Sequence, residues 1–284
     1  MGNNRGTKYG LKHTSLIVDS DEFWDFDQEV MGLHDLPAII DHILETTNST
    51  KLKYIGHSEG TTQMFMAATL EPDYFKSKVS VFSALAPVTF MNNTKSYSLR
   101  FLAQNVEAIT YLLHDVLHVK SIVPASFPLN ALFTTFCTFY DPVCKFSLWM
   151  VSDREVHLDN MSRDQVYYSL FPSGCGWKNF VHYGQVIKTG GFLRYDFGHE
   201  KNLEKYGQSS PPSYDLSALA DWPVALFHGT EDVLSDPIDV STLASQIPES
   251  SLVFNRQYNM GHMTFHIGKD MSYLNDVLAV LSHY

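Results

Sequence analysis

Basic charge is scarce in this chain. Lys and Arg number 20 against 31 Asp and Glu, a formal net charge of -11 at pH 7. That balance opposes nonspecific binding to phosphate backbones. The basic residues are scattered rather than clustered among aromatics, so no nucleic-acid partner is expected. Long apolar runs are missing too, and none approaches the roughly 18 residues that suggest a membrane span. The opening Met1-Gly2-Asn3-Asn4-Arg5-Gly6 lacks the apolar stretch of a signal peptide. Gly6 stands where a myristoylation signal needs Ser or Thr. Read from these residues, the chain carries no address. There is no low-complexity tract. Despite 13 histidines, no His-x-x-x-His is paired with a nearby acidic residue on a helix, so neither a metal nor another cofactor is expected. Cysteines number three: Cys137 and Cys144 are close enough to form a small loop disulfide, which would leave Cys175 over. Sequons at Asn48, Asn92 and Asn160 lean only slightly towards a secretory compartment.

What is present is enough apolar material for a large core: 44% of 284 residues are hydrophobic. That length suits one large domain or a domain with a sizeable insertion. Apolar residues recur at helical spacing from about Phe23 to Leu44, with Pro37 expected to bend or interrupt the run. Lys51 to Gly56 alternates and is β-prone, a strand by pattern. A helix is predicted from about Gly60 to Leu70, ended by Pro72, and Val79 to Leu85 is a second strand. Helix, strand, helix, strand is the order of a parallel sheet covered by helices. The sheet pattern returns at Pro223 to Gly229 and at Ser251 to Phe254, and a closing helix is predicted from about Met271 to Leu281. Between Asn92 and Pro212 strand signals are few and aromatics many, so a mostly helical and irregular insertion is expected there. The predicted organisation is a core of residues 1–91 and 213–284 with a cap or lid of residues 92–212.

Gly56-His57-Ser58-Glu59-Gly60 is the strongest local signal. It lies between a predicted strand and a predicted helix, the setting in which such a pentapeptide forms a nucleophile elbow. The two glycines are expected because side chains there would strike neighbouring backbone. A serine hydroxyl is a weak nucleophile until a base takes its proton, so an imidazole steadied by a carboxylate should follow. The order serine, acid, histidine points to Asp232, just past the strand ending at Gly229, and to His262, after the next strand. Glu231, Asp236 and Asp239 are rival carboxylates, and His266 is a rival base. Gly261 favours His262 by easing a tight loop, whereas His57 should project away from its neighbour. One oxyanion donor should be the backbone N–H of Glu59.

With these residues placed, the sequence resembles the acid lipase family, which includes gastric and lysosomal acid lipases. Gly2-Asn3-Asn4-Arg5-Gly6, Phe23-Trp24-Asp25-Phe26, Asp35-Leu36-Pro37-Ala38, Gly56 through Thr62, Ala84 through Val88, Tyr195 through Gly198 and Asp232 through Val240 carry the likeness. It implies a mostly parallel α/β-hydrolase fold with a mostly helical cap, and hydrolysis of triacylglycerols or sterol esters through an acyl-enzyme. It places nucleophile, acid and base on Ser58, Asp232 and His262, and a short disulfide loop near Cys137 and Cys144. Lipid ester is the implied substrate, with transient contact of the aromatic-rich cap with a lipid surface. A secreted or lysosomal setting is implied as well. The family carries a further N-terminal portion with sheet strands and a His-Gly oxyanion loop, which is expected upstream of the stretch where this chain starts. The chain also departs from the family in having Glu59 where Gln is usual, which sets a carboxyl beside the developing oxyanion. The alternative expectation is a catalytically impaired remnant serving as an interaction or lipid-binding module.

Overall fold

The computed structural model describes residues 2–122, 135, 139–163, 166, 167, 169 and 173–284. The predicted first helix begins at Gln28, after a single 3-10 turn at Glu22–Trp24. Its first part winds as a π turn over Met31–Asp35 before α1, Leu36–Thr47. Pro37 is the reason the run changes pitch there: it has no N–H to give the carbonyl four residues back. Asn48 ends α1 in the left-handed conformation, its N–H reaching the carbonyl of Glu45 at 3.3 Å.

Strand β1, Leu52–His57, leads to α2, Glu59–Leu70. Pro72, expected only to end that helix, also opens α3, Pro72–Lys78, where a missing N–H costs nothing. Next comes β2, Val79–Leu85. The sheet resumes at β3, Val224–Gly229, and β4, Leu252–Tyr258. The four strands lie side by side in chain order, every pair parallel. Every residue of β3 is buried, which its unbroken Val-Ala-Leu-Phe run anticipates for a strand covered on both faces. Strands β1 and β4 each start by alternating partly buried and exposed residues, but Gly56 of β1 is buried and Asn255, Arg256 and Gln257 of β4 are all exposed.

Helices cover both faces. On one, Ile40 of α1, Met64 and Phe65 of α2, and Leu243 of Pro237–Gln246 pack on Phe82 and Leu226. Helix α2 has residues Thr61 through Ala68 all buried, so it is sandwiched rather than amphipathic. Phe65 meets Phe82 edge-on at 4.8 Å, and truncating either ring would cost about 3–5 kcal/mol. On the other face Tyr273 and Val277 of the closing helix, Tyr273–His283, pack on Ala225 and Phe227.

Within residues 92–212, helices Tyr97–Gln104, Asp141–Val151 and Trp177–Thr189 alternate with short turns and one antiparallel pair, Ser121–Ile122 with Cys175–Gly176. This segment is tied into the core. Arg194 Nε donates to Glu29 at 2.8 Å, on a carboxylate that also accepts from Tyr214 of the core at 2.6 Å. His182 bridges Gln28 and the carbonyl of Leu193. Among the described residues, no helix is long and apolar enough to cross a membrane.

Candidate active site

One residue separates the end of β1 from the start of α2, and that residue is Ser58. Its φ of 53° and ψ of -118° lie outside the ordinary wells. Such a conformation costs on the order of 1–3 kcal/mol and persists only where surroundings enforce it. Here the Ser58 N–H is tied to the carbonyl of Leu85 at 3.1 Å, and its own carbonyl receives the Thr61 N–H at 2.8 Å. Only one of the two elbow glycines is needed for space. A Cβ at Gly56 would come within 2.9 Å of the Gly60 backbone, whereas one at Gly60 would meet nothing closer than the Tyr54 hydroxyl at 3.6 Å. The expectation that both positions exclude a side chain is thereby corrected.

The strands deliver three side chains to one end of the sheet. Ser58 follows β1, Asp232 follows β3 and His262 follows β4, all at carboxyl ends. His262 Nε2 lies 2.7 Å from Ser58 Oγ, and its Nδ1 lies 2.8 Å from Asp232 Oδ2. A carboxylate only accepts, so Nδ1 carries the proton and Nε2 presents its lone pair to the hydroxyl. Asp232 Oδ1 accepts the N–H groups of Leu234 and Ser235 at 2.9 and 2.8 Å, which fixes the carboxylate. Asp232 and His262 are each only 2% exposed. Burial alone would lower the His262 pKa, but the charge and hydrogen bond of Asp232, with a smaller contribution from Asp153, raise it. Such a pair can draw a proton from the serine and hold it as imidazolium.

The rival residues have other duties. Asp236 caps a helix through the Ile238 N–H and pairs with Lys95, while Asp239 accepts both the N–H and the side-chain amide of Asn93. Glu231 accepts a hydrogen bond from Thr230. His57 points away from the serine and donates Nε2–H to the carbonyl of His262 at 2.9 Å, with the His266 ring against it at 4.1 Å. Burial and the neighbouring imidazoles push His57 well below the usual histidine range.

Glu59 opens α2, where the first backbone N–H groups have no intrahelical acceptor and the helix dipole favours negative charge. Its side chain turns into the protein, where Oε1 accepts from Gln63 at 3.0 Å and Asn179 at 3.1 Å. Burial raises this carboxyl to about 7 against the opposing pull of those donors. Asn179 and Gln63 were not signalled by the sequence. The first lies 120 residues away and no local pattern marks it.

Asp153 is a second residue missed. It is 1% exposed and accepts the Met263 N–H beside His262. It also explains Gly261, where a Cβ would collide with Asp153 Oδ1. Gly261 is therefore demanded by close packing, not by the conformational ease expected of it. Cys137 and the side chain of Cys144 lie outside the described residues, and with them the expected disulfide; Cys175 is a free thiol. Among the described residues no three His, Cys, Asp or Glu side chains gather so as to hold a metal ion.

Comparison with known proteins follows the same direction. A family model described as alpha/beta hydrolase fold matches residues 1–268. Gastric triacylglycerol lipase from Bos taurus is 35% identical over 270 residues, 93% of this chain and 66% of that protein. Gastric triacylglycerol lipase from Homo sapiens is 33% identical, covering 99% and 70%. Lysosomal acid lipase/cholesteryl ester hydrolase from Rattus norvegicus is 33% identical, covering 100% and 71%. The chain thus spans about two thirds of the length of these relatives. A solved epoxide hydrolase from Bacillus megaterium has the same fold, with a TM-score of 0.52 at 14% identity over 99% of this chain and 82% of its own.

Proposed function

Because the chain belongs to the α/β-hydrolase fold family and, within it, to the acid lipases, a family of carboxylic ester hydrolases, we propose that it hydrolyses neutral-lipid esters through an acyl-enzyme on Ser58. The observation that carries this reading is the continuous chain of contacts from Ser58 Oγ through His262 to Asp232, 2.7 and 2.8 Å long. In the first half-reaction His262 Nε2 takes the hydroxyl proton while Oγ attacks the ester carbonyl carbon. The Glu59 N–H supports the oxygen that becomes negative. Collapse of the tetrahedral intermediate breaks the bond to the alcohol oxygen, which leaves with the proton from His262. Water then gives a proton to His262 and attacks the acyl carbon. The carboxylic acid departs, and the proton returns to Ser58. Asp232 stays ionised throughout and steadies the imidazolium.

The relatives' names supply the substrate class: triacylglycerol for the gastric enzymes and cholesteryl ester for the lysosomal one. They also favour an acidic secretion or the lysosome as the place of action. Residues 1–91 and 213–284 are proposed as the catalytic core and 92–212 as a cap, a division supported by the parallel strands all lying outside the cap. Phe192 of the cap nonetheless packs into the core cluster with Tyr214, so the two are interlocked.

A fluorophosphonate probe tests the reading. It is expected to label Ser58, with Ser58→Ala unlabelled and at least 1,000-fold less active on p-nitrophenyl esters. A folded chain that takes no label would instead be a noncatalytic lipase-like module. An ester series from acetate to oleate, with triolein and cholesteryl oleate, fixes the acyl and alcohol preference.

A further inference from the structure

Asp153 follows the helix Asp141–Val151 and meets the backbone on both sides of His262. Both of its oxygens accept the Met263 N–H, at 3.0 and 3.2 Å, and Oδ1 lies against Gly261. Its own backbone bridges, antiparallel, to Asp232. The contact continues along the chain. Thr264 Oγ1 receives the Gly261 N–H at 2.9 Å and donates to Asp159 at 2.7 Å, and the Asn160 N–H reaches the carbonyl of Ile267 at 2.6 Å. Residues 153–160 therefore brace the loop that holds His262, from a part of the chain more than 100 residues away.

We propose that Asp153 is a positioning residue for ester hydrolysis, fixing the His262 loop and, when ionised, adding a second negative charge behind the imidazolium that forms when Ser58 loses its proton. The inference rests on the Ser58–His262–Asp232 reading above. Its physical basis is an imbalance. Two buried carboxylate oxygens share one backbone N–H, so Asp153 is poorly compensated until a positive charge arises nearby. Burial raises its carboxyl to about 7, with His262 pulling the other way and Asp232 and Asp159 adding to the rise. Of the other groups around the loop, His57 and His266 have pKa values lowered by burial first and then by neighbouring imidazoles, Arg154 is directed to the carbonyl of Lys95, and Lys269 donates to the carbonyl of His157 and acts on Asp159. Asp153 and His262 thus each act on the other's titration, His262 lowering the carboxyl and Asp153 raising the imidazole.

Asp153→Asn keeps the shape and an acceptor for Met263 but removes the charge. With a soluble p-nitrophenyl ester, kcat is expected to fall on the order of tenfold with KM within twofold. The acid limb of kcat/KM, which reports His262, is expected to move to lower pH by about half a unit or more. Asp153→Glu, which retains the charge on a longer arm, should keep the limb in place while lowering kcat. A purely structural role would lower thermal stability and leave the limb where it is. Parent-like kcat and limb in Asp153→Asn, or equal displacement of the limb in both variants, overturns the proposal. If Asp153→Asn does not fold, Asp153→Glu decides alone: kcat at least fivefold down with the limb retained supports the role, and parent-like kcat overturns it. Loss of Ser58 labelling in the parent protein would instead overturn the proposed function, which separates the two failures.

Discussion

Glu59 places a titrating carboxyl one residue from the serine, and its burial sets where it titrates. With its folded value near 7 against an ordinary 4.5, the native protein binds this proton more tightly than the unfolded chain does. Stability from this group is therefore present below about pH 4.5 and falls as pH rises towards 7. On the proposed mechanism, the carboxylate formed above 7 also disfavours the oxyanion that the Glu59 N–H would support. Glu59→Gln keeps an acceptor for Gln63 and Asn179, so it should melt a few degrees higher than the parent at pH 7.5, on the order of 1 kcal/mol, and equally at pH 4.5. Its rate at pH 8 should exceed the parent's on the order of 3- to 10-fold, read from a pH–rate profile; coincident profiles would contradict the argument. The elbow glycines offer a second test. Gly56→Ala should cost more than about 2 kcal/mol in urea unfolding because backbone must move, while Gly60→Ala should be within about 1 kcal/mol of the parent. Ser58, Asp232 and His262, which the fold brings together, were legible as candidates in the sequence because each follows a recognisable strand in a fixed order. The hold of Asn179 on Glu59 and the role of Gly261 were not, since both depend on side chains over 100 residues distant.

Elements were legible where a pattern is local. The strands announced themselves through alternation or β-branched runs, and three of the four extended only a residue or so beyond or short of the expected ends. Strand β4 runs on past Phe254 to Tyr258, an extension that was not legible because Asn255, Arg256 and Gln257 are polar and exposed. The π turn before Pro37 was foreseen as an interruption but not as a change of pitch. What no pattern showed is how residues 92–212 attach to the sheet. Arg194, just after the helix Trp177–Thr189, grips Glu29 at the start of the first helical run with two nitrogens, and Tyr214, beyond that segment, adds a third bond to the same carboxylate. Arg194→Met should destabilise by roughly 2–4 kcal/mol, because it strands a carboxylate that is mostly out of water. Adding Glu29→Gln should recover at least half of that loss. Equilibrium urea unfolding of both variants measures the coupling, and strict additivity would show that the pair does not hold the two segments together.

At the scale of the whole molecule, the charge distribution and the apolar surface point in different directions. A net charge of -11 disfavours anionic membranes, yet Phe101, Tyr111, Leu112, Leu117 and Phe146, all within residues 92–212, are each more than half exposed. We propose that these water-facing aromatics and leucines meet an apolar counterpart. A neutral lipid droplet or emulsion supplies one without requiring positive charge, and it is also where the proposed substrate resides. Binding such a surface is worth about 25 cal/mol per Å² of apolar area covered, so a few leucines and aromatic rings suffice for reversible adsorption. Leu112 and Leu117 take no part in the hydrogen bonds that join Ser58, His262 and Asp232, so a role in adsorption alone is expected of them. Leu112→Asp combined with Leu117→Asp should therefore reduce hydrolysis of emulsified triolein at least tenfold and leave hydrolysis of soluble p-nitrophenyl butyrate within twofold of the parent. Equal loss on both substrates would mean that these residues support the fold instead, and equal retention would mean that the lipid is met by another face.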